Sequence, residues 1–309
     1  MTEGNIEFLK TIRKSPGQRI AVLFGSFFIL MIFASVLSGL ISNIGLGSER
    51  TRLLISASLQ CVLAFCLPAF LVARFSSNDW SEWLSLKKMP EMRQILGIVI
   101  IYLLTLPAME WLIEWNSSLH LPQSMSGLEA KLREWEENAE ATTKLLLDAQ
   151  GFWPVLAGVV VIGLLTGFSE ELFFRGGFQG ILTKGGIKPG LAITISAFLF
   201  SVMHFQFFGF VPRLLMGFFF GYLLIWTRSI WVPIFAHALN NTIVVVTSGW
   251  SEGMQTGEGI GGEYGSHPAV VVTSLVLSVL FFIYCRDFFF KKPKNERIMK
   301  SEEKIIEKN

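Results

Sequence analysis

Apolar runs separated by short stretches that hold nearly all of the charge dominate the chain. They fall near Ile20 to Ile41, Leu53 to Phe75, Ile95 to Trp115, Trp153 to Phe168, Leu191 to Phe207, Val211 to Thr227, Trp231 to Thr247 and Ala269 to Cys285. Each is close to the ~20 residues with which an α-helix crosses a hydrocarbon core about 30 Å thick. The pattern predicts an all-α, polytopic integral membrane helix bundle of about eight transmembrane helices. The first run follows a charged tail of 19 residues and carries no small-residue cleavage site, so it reads as a retained anchor and not a signal peptide.

The connections set the orientation. With the amino terminus placed in the cytoplasm, 19 Lys and Arg side chains fall on that side and six on the other, Arg50, Arg52, Lys131, Arg133, Lys144 and Arg213, with Arg175 left inside a span. The positive-inside rule then places both termini in the cytoplasm. Trp80, Trp83, Trp111, Trp115, Trp153, Trp226, Trp231 and Trp250 all stand near span ends, where an indole N–H stays wet. The longest connection, 116–151, is too short for a soluble domain. Ser126 and Glu129 have capping-box spacing, and Leu128, Leu132, Trp135, Ala139 and Leu146 recur at helical intervals in an acidic segment. These residues predict an amphipathic helix on the outer face, packed over the bundle. The glycine-rich stretch from Gly249 to Gly265 predicts an external linker.

Composition agrees with the pattern. Hydrophobic residues make up 51% of the chain and charged ones only 16%, against roughly 25% charged in a soluble domain. A water-soluble globule, a disordered chain and a disulfide-stapled scaffold are all excluded. A net charge of +2 supplies no field for nucleic acid. Cys61, Cys66 and Cys285 lie in apolar runs and read as small packing residues.

Scarce charge makes the charged residues inside spans informative. Glu170, Glu171 and Arg175 interrupt a sequence that is otherwise apolar from Trp153 to Leu182. An ionised group near mid-membrane costs at least about 2.5 kcal/mol unless it meets a partner or a wet cavity. Glu171 and Arg175 are one helical turn apart and predict an ion pair. Glu170 points about 100° away and is left to meet another helix. Two further spans carry His204 and the pair His237 and Asn241, the latter sharing one helix face. Two histidines and a carboxylate inside spans point to a functional site.

These residues resemble the signatures of the CAAX prenyl protease type II and bacteriocin-processing intramembrane proteases, the CPBP or abortive-infection family: Glu170-Glu171 with Arg175, Phe200 with His204, and His237 with Asn241, in family order. The resemblance implies a catalytic core at 152–247, with a three-span region and the outer helix at 1–151, and an outer loop, last span and basic tail at 248–309. It also implies an endopeptidase of a bacterial inner membrane, acting on a peptide or protein substrate that is membrane-associated or lipidated, prenylated ones included, with no nucleic-acid partner. Glu170 is the expected general base, since burial raises a carboxylate's pKa, with His204 sharing its water and His237 and Asn241 facing the oxyanion. Glu171, Arg175 and Phe200 are expected to support them, and the site to open toward the cytoplasm. No cofactor is expected. The same atoms offer a competing zinc set of His204, His237 and Glu170, but no pair fixes two ligands on one helix in the HExxH manner. Two other classes compete: a non-catalytic immunity or partner-binding membrane protein, and a proton-relay transporter, which would show an internal repeat that this chain lacks.

Overall fold

The computed structural model describes residues 15–250 and 267–290, without the side chains at 249, 250 and 285. The amino-terminal tail before residue 15, the glycine-rich linker after Trp250 and the basic tail after Phe290 lie outside the described residues. Among the described residues there is no strand. The helices are α1 (Pro16–Ile44), α2 (Glu49–Ser76), α3 (Met92–Ser117), α4 (Ser126–Leu147), α5 (Phe152–Lys184), α6 (Pro189–Val202), α7 (Phe210–Thr227), α8 (Trp231–Trp250) and α9 (Pro268–Leu280). Helix α9 continues through a π turn at Phe281–Cys285 into Arg286–Phe290.

Each of the eight apolar runs lies on a helix, the fifth running past the end of α6 at Val202 into a turn that holds His204, and α4 is the amphipathic connection. By length and composition α1, α2, α3, α5 and the segment Phe207–Thr227 can each cross a membrane, while α6 and α9 are shorter apolar helices. Helix α1 exposes Phe28, Ile29, Ile32, Phe33, Val36 and Leu40, and α9 exposes Val272, Leu275, Val276, Val279 and Ile283. A helix that shows apolar side chains on this scale is solvated by lipid. The chain is an integral membrane helix bundle.

Because lipid is as apolar as leucine, close backbone contact and interhelical hydrogen bonds hold the spans together. Pro107 interrupts the backbone ladder of α3, and Ser274 of α9 repairs it: its hydroxyl donates to Leu104 O at 2.5 Å and accepts from Ala108 N at 3.2 Å. One core joins Leu23 and Phe27 of α1, Ala64 and Ala69 of α2 and Phe173 of α5. Its rings pack edge to face, Phe24 on Phe173 at 5.6 Å and Phe65 on Phe173 at 5.4 Å. A second core joins α3, α7, α8 and the end of α9 through Ile98, Phe220, Val232 and Phe281.

Trp80, Trp111, Trp115 and Trp153 are exposed near span ends, as expected. Trp83 is buried beneath the Lys184 ammonium, which stands 4.3 Å from its ring, and Trp231 donates to Leu86 O. Those two are pins between elements and not interfacial anchors.

The capping box expected at Ser126 does not form. Helix α4 starts without a side-chain cap. Glu129 instead reaches back to the preceding loop, accepting from Leu121 N and meeting His120 Nδ1, both at 2.8 Å, and it takes two hydrogen bonds from Arg133. A ring nitrogen and a guanidinium outbid the helix's own amide for this carboxylate. Arg133 above all, with His120 and the Leu121 amide, holds the Glu129 carboxyl at about 2, below its ordinary value of 4.5. A depressed folded pKa gives stability above the unfolded value that is lost as pH falls through the folded one. The start of α4 should therefore loosen between about pH 4.5 and pH 2. Hydrogen exchange at residues 119–133 checks this, with Glu129→Gln expected to exchange fast at every pH.

Candidate active site

Helix α5 is not a plain α-helix. A single α turn, Thr166–Glu171, lies between π segments at Val159–Leu165 and Leu172–Gln179. Thr166 donates its hydroxyl to Val161 O five residues back, which satisfies a carbonyl of the widened turn. Insertions of this kind are common where a helix must re-aim side chains at a functional site. Here the turn carries both glutamates.

Gly163 and Gly167 bring α5 against α8. A Cβ on Gly167 would lie 2.9 Å from Ala238 N, and one on Gly163 2.4 Å from Thr242 Oγ1. This close approach is what sets Glu171 against His237. Gly167→Ala should push the two helices apart at a cost of about 1–3 kcal/mol and lengthen the contact between Glu171 and His237. Thermal unfolding in detergent, read beside activity, measures both effects.

Arg175 Nη1 donates to Glu171 Oε1 at 2.9 Å, and both side chains have no solvent exposure. The other end of the guanidinium donates to Gly217 O at 3.1 Å. Around it stand the faces of Phe200 at 4.5 Å, Phe220 at 5.2 Å and Phe174 at 5.9 Å. The buried charge is thus held by an ion pair and aromatic faces. Gln179, one turn further on, donates to Gly221 O, so the two glycines of α7 offer their carbonyls to α5 while packing on Ala197 and Ile193 of α6.

Glu171 Oε1 also meets His237 Nδ1 at 2.9 Å. A carboxylate that already accepts from arginine can only accept here, so Nδ1 carries the proton and Nε2 is the free edge. That edge stands 3.9 Å from Glu170 Oε2. Phe220 stacks on the imidazole at 4.9 Å, and Phe200 meets it edge-on at 5.9 Å. Glu170 Oε2 is buried and accepts no hydrogen bond from the protein. Glu171 spends Oε1 on Arg175 and His237, and both glutamates leave Oε2 without a hydrogen bond, but Glu170 is the one that is partly exposed.

His204 lies in the turn after α6. Its Nδ1 donates to Phe200 O at 2.7 Å, since a carbonyl can only accept, and Nε2 is again the free nitrogen. The Phe200 ring packs at 5.0 Å from this imidazole, and Glu170 and His237 are within electrostatic reach of it. Asn241, one turn beyond His237, donates to Ile162 O at 3.2 Å and accepts from Asn240 Nδ2 at 3.1 Å, leaving one N–H of its amide. Among the described residues, no group of three or more His, Cys, Asp or Glu is arranged to hold a metal ion.

Glu170, Glu171, Arg175, Phe200, His204, His237 and Asn241 thus come from three separate motifs to one region of α5, α6 with the turn after it, and α8. Glu171 supports His237 and not Glu170, which the spacing alone did not reveal. The sequence reading missed Phe220, whose only signal is its place beside Gly217 and Gly221, and Ile162. Every residue of Leu172–Gln179 is buried, whereas Glu170 and His204 are partly exposed.

Residues 152–243, which contain every one of these side chains, match the model of the family described as type II CAAX prenyl endopeptidase Rce1-like. The match covers 92 of the 309 residues. A protein of Bacillus subtilis (strain 168) described as "Putative membrane peptidase YdiL" is 33% identical over 104 residues, 34% of this chain and 41% of the relative's length. The chain therefore aligns with less than half of that relative. No solved structure matches the chain.

Proposed function

We propose that the protein is an intramembrane endopeptidase that cuts a membrane-associated or lipidated peptide with a water activated by Glu170. The observation that carries this reading is the unpartnered, buried Glu170 Oε2 beside a histidine whose far side is fixed by a second carboxylate. Glu170 takes a proton from water as the oxygen attacks the scissile carbonyl carbon, and the carbonyl becomes a tetrahedral oxyanion. His204 Nε2 accepts from the same water. An Nε2–H on His237, whose Nδ1 side is held by Glu171, and the remaining Asn241 N–H donate to the oxyanion. Glu170 then passes its proton to the amine nitrogen as the C–N bond breaks. Arg175 holds Glu171 in place, and Glu171 keeps His237 turned. The bilayer supplies the substrate by lateral diffusion, and no cofactor takes part.

Support for a metal-free course comes from the donors themselves. An Nδ1–H held by a protein acceptor leaves Nε2 as open to a metal as to water, but among the described residues no three His, Cys, Asp or Glu side chains are arranged to hold a metal ion. The family model matched by residues 152–243 and the relative described as a membrane peptidase support a membrane peptidase. Quantitative comparison of the membrane proteomes of cells carrying the wild type and Glu170→Gln tests the reading, with a parallel zinc-chelated culture. Fragments that appear only with the wild type, chelator or not, are expected. Fragments lost on chelation and restored by zinc would assign the site to a metalloprotease.

A further inference from the structure

The turn that carries His204 is held by two helices that lie outside the family segment. His204 stands two residues past α6, and Phe205 beside it has φ 54°, a left-handed conformation that a phenylalanine adopts only when its surroundings impose it. Asn116, buried at the end of α3, donates to Phe207 O at 3.3 Å and accepts from Val211 N at 2.7 Å. From α4, Glu136 accepts from Gln206 Nε2 at 2.9 Å through one oxygen and from Phe208 N at 3.2 Å through the other. Gln206 in turn accepts from Arg213 Nη2 at 2.6 Å, which fixes the amide between an acceptor and a donor. Arg133, one turn before Glu136 on α4, lies 4.1 Å above the buried Phe208 ring. Of the carboxylates on this stretch of α4, Glu134, Glu137 and Glu140 are exposed, while Glu136 turns inward to the turn.

We infer that Glu136 is a positioning residue for His204: through Gln206 and the Phe208 amide, α4 holds the turn in the one conformation that presents the imidazole to the site. The consequence for turnover rests on the proteolytic reading above. Both oxygens of Glu136 go to residues within four positions of His204, and its geometry reaches that histidine without touching Glu170 or His237. Removing it takes away two of the bonds that hold the strained turn and leaves Asn116 and Arg213 to hold it, and misplacing a catalytic group by about 1 Å can cost as much as 10²-fold in rate. The outer helix thereby becomes part of the active-site support and not a cover over the bundle.

The test uses full-length protein in lipid nanodiscs with ¹⁵N-labelled histidine. The chain has only four histidines, so His204→Gln assigns its signal. In Glu136→Ala the His204 ring nitrogens should leave the pure Nδ1–H tautomer, and Glu140→Ala, an exposed residue paired with Lys144 on the same helix, should leave them unchanged. On the best-cleaved member of an acylated, quenched fluorescent peptide pool, Glu136→Ala should lower kcat about tenfold with KM and melting temperature nearly unchanged. Glu136→Gln, which keeps one acceptor oxygen, should recover part of the loss. Glu136→Ala with Gln206→Ala should be no worse than the poorer single variant. An unshifted His204 signal, an effect confined to KM, or additive losses would overturn the inference. The spectrum is read without substrate: a shifted signal in a wild-type background that cuts no peptide would sink the proteolytic reading and leave the positioning role supported.

Discussion

Glu170→Gln is expected to lower turnover by about a thousandfold, inside the 10²–10⁴ range of a positioned general acid–base, and to leave the fold as stable as before. Glutamine has the shape of glutamate but cannot take the proton of water. The exchange breaks no hydrogen bond to Oε2, which receives none from the protein, and the side chain is still 14% exposed. Binding should survive, so the loss belongs in kcat and not in KM. Turnover on a cleaved peptide, read with the melting temperature of the same preparation, checks both halves. A variant equally stable and fully active would remove Glu170 from the chemistry.

Arg175→Met should do the reverse and damage the fold first. Glu171 would keep its charge at zero exposure with only His237 beside it, and Gly217 O would lose its donor. Breaking a buried pair by removing one partner costs about 3–5 kcal/mol. That is a large part of the stability of most proteins. Activity should fall as well, since Glu171 is then no longer held in place and releases His237. Arg175→Met combined with Glu171→Leu should regain most of the lost stability, because two apolar groups of similar volume leave no buried charge, yet remain inactive. Chemical denaturation in micelles distinguishes these outcomes. A neutral Arg175→Met would mean that the guanidinium is not what balances Glu171.

The two variants separate what was readable in the sequence from what was not. The helices were legible because apolar runs near 20 residues have one stable form in lipid. Arg175 with Glu171 was legible because a spacing of four puts two side chains on one face. Glu171 with His237 was not, since it depends on Gly163 and Gly167 letting α8 approach and on π segments that rotate the glutamates relative to a regular helix. Sequence spacing says nothing of where such insertions fall. The Ser126 cap failed for a related reason: a distant loop offered Glu129 better donors than its own helix could. The bond from Glu136 to Gln206 joins residues 70 apart, and only the docking of α4 shows it.

The most direct measurement is cleavage in a purified system. Wild-type protein and Glu170→Gln, each in vesicles of one composition, are given the same membrane-tethered peptide, and the products are read by mass spectrometry. The account predicts new termini at one peptide bond with the wild type and about a thousandfold fewer with the variant. Equal yields from both proteins, or none from either on the peptides whose fragments distinguish the two proteomes, would contradict it.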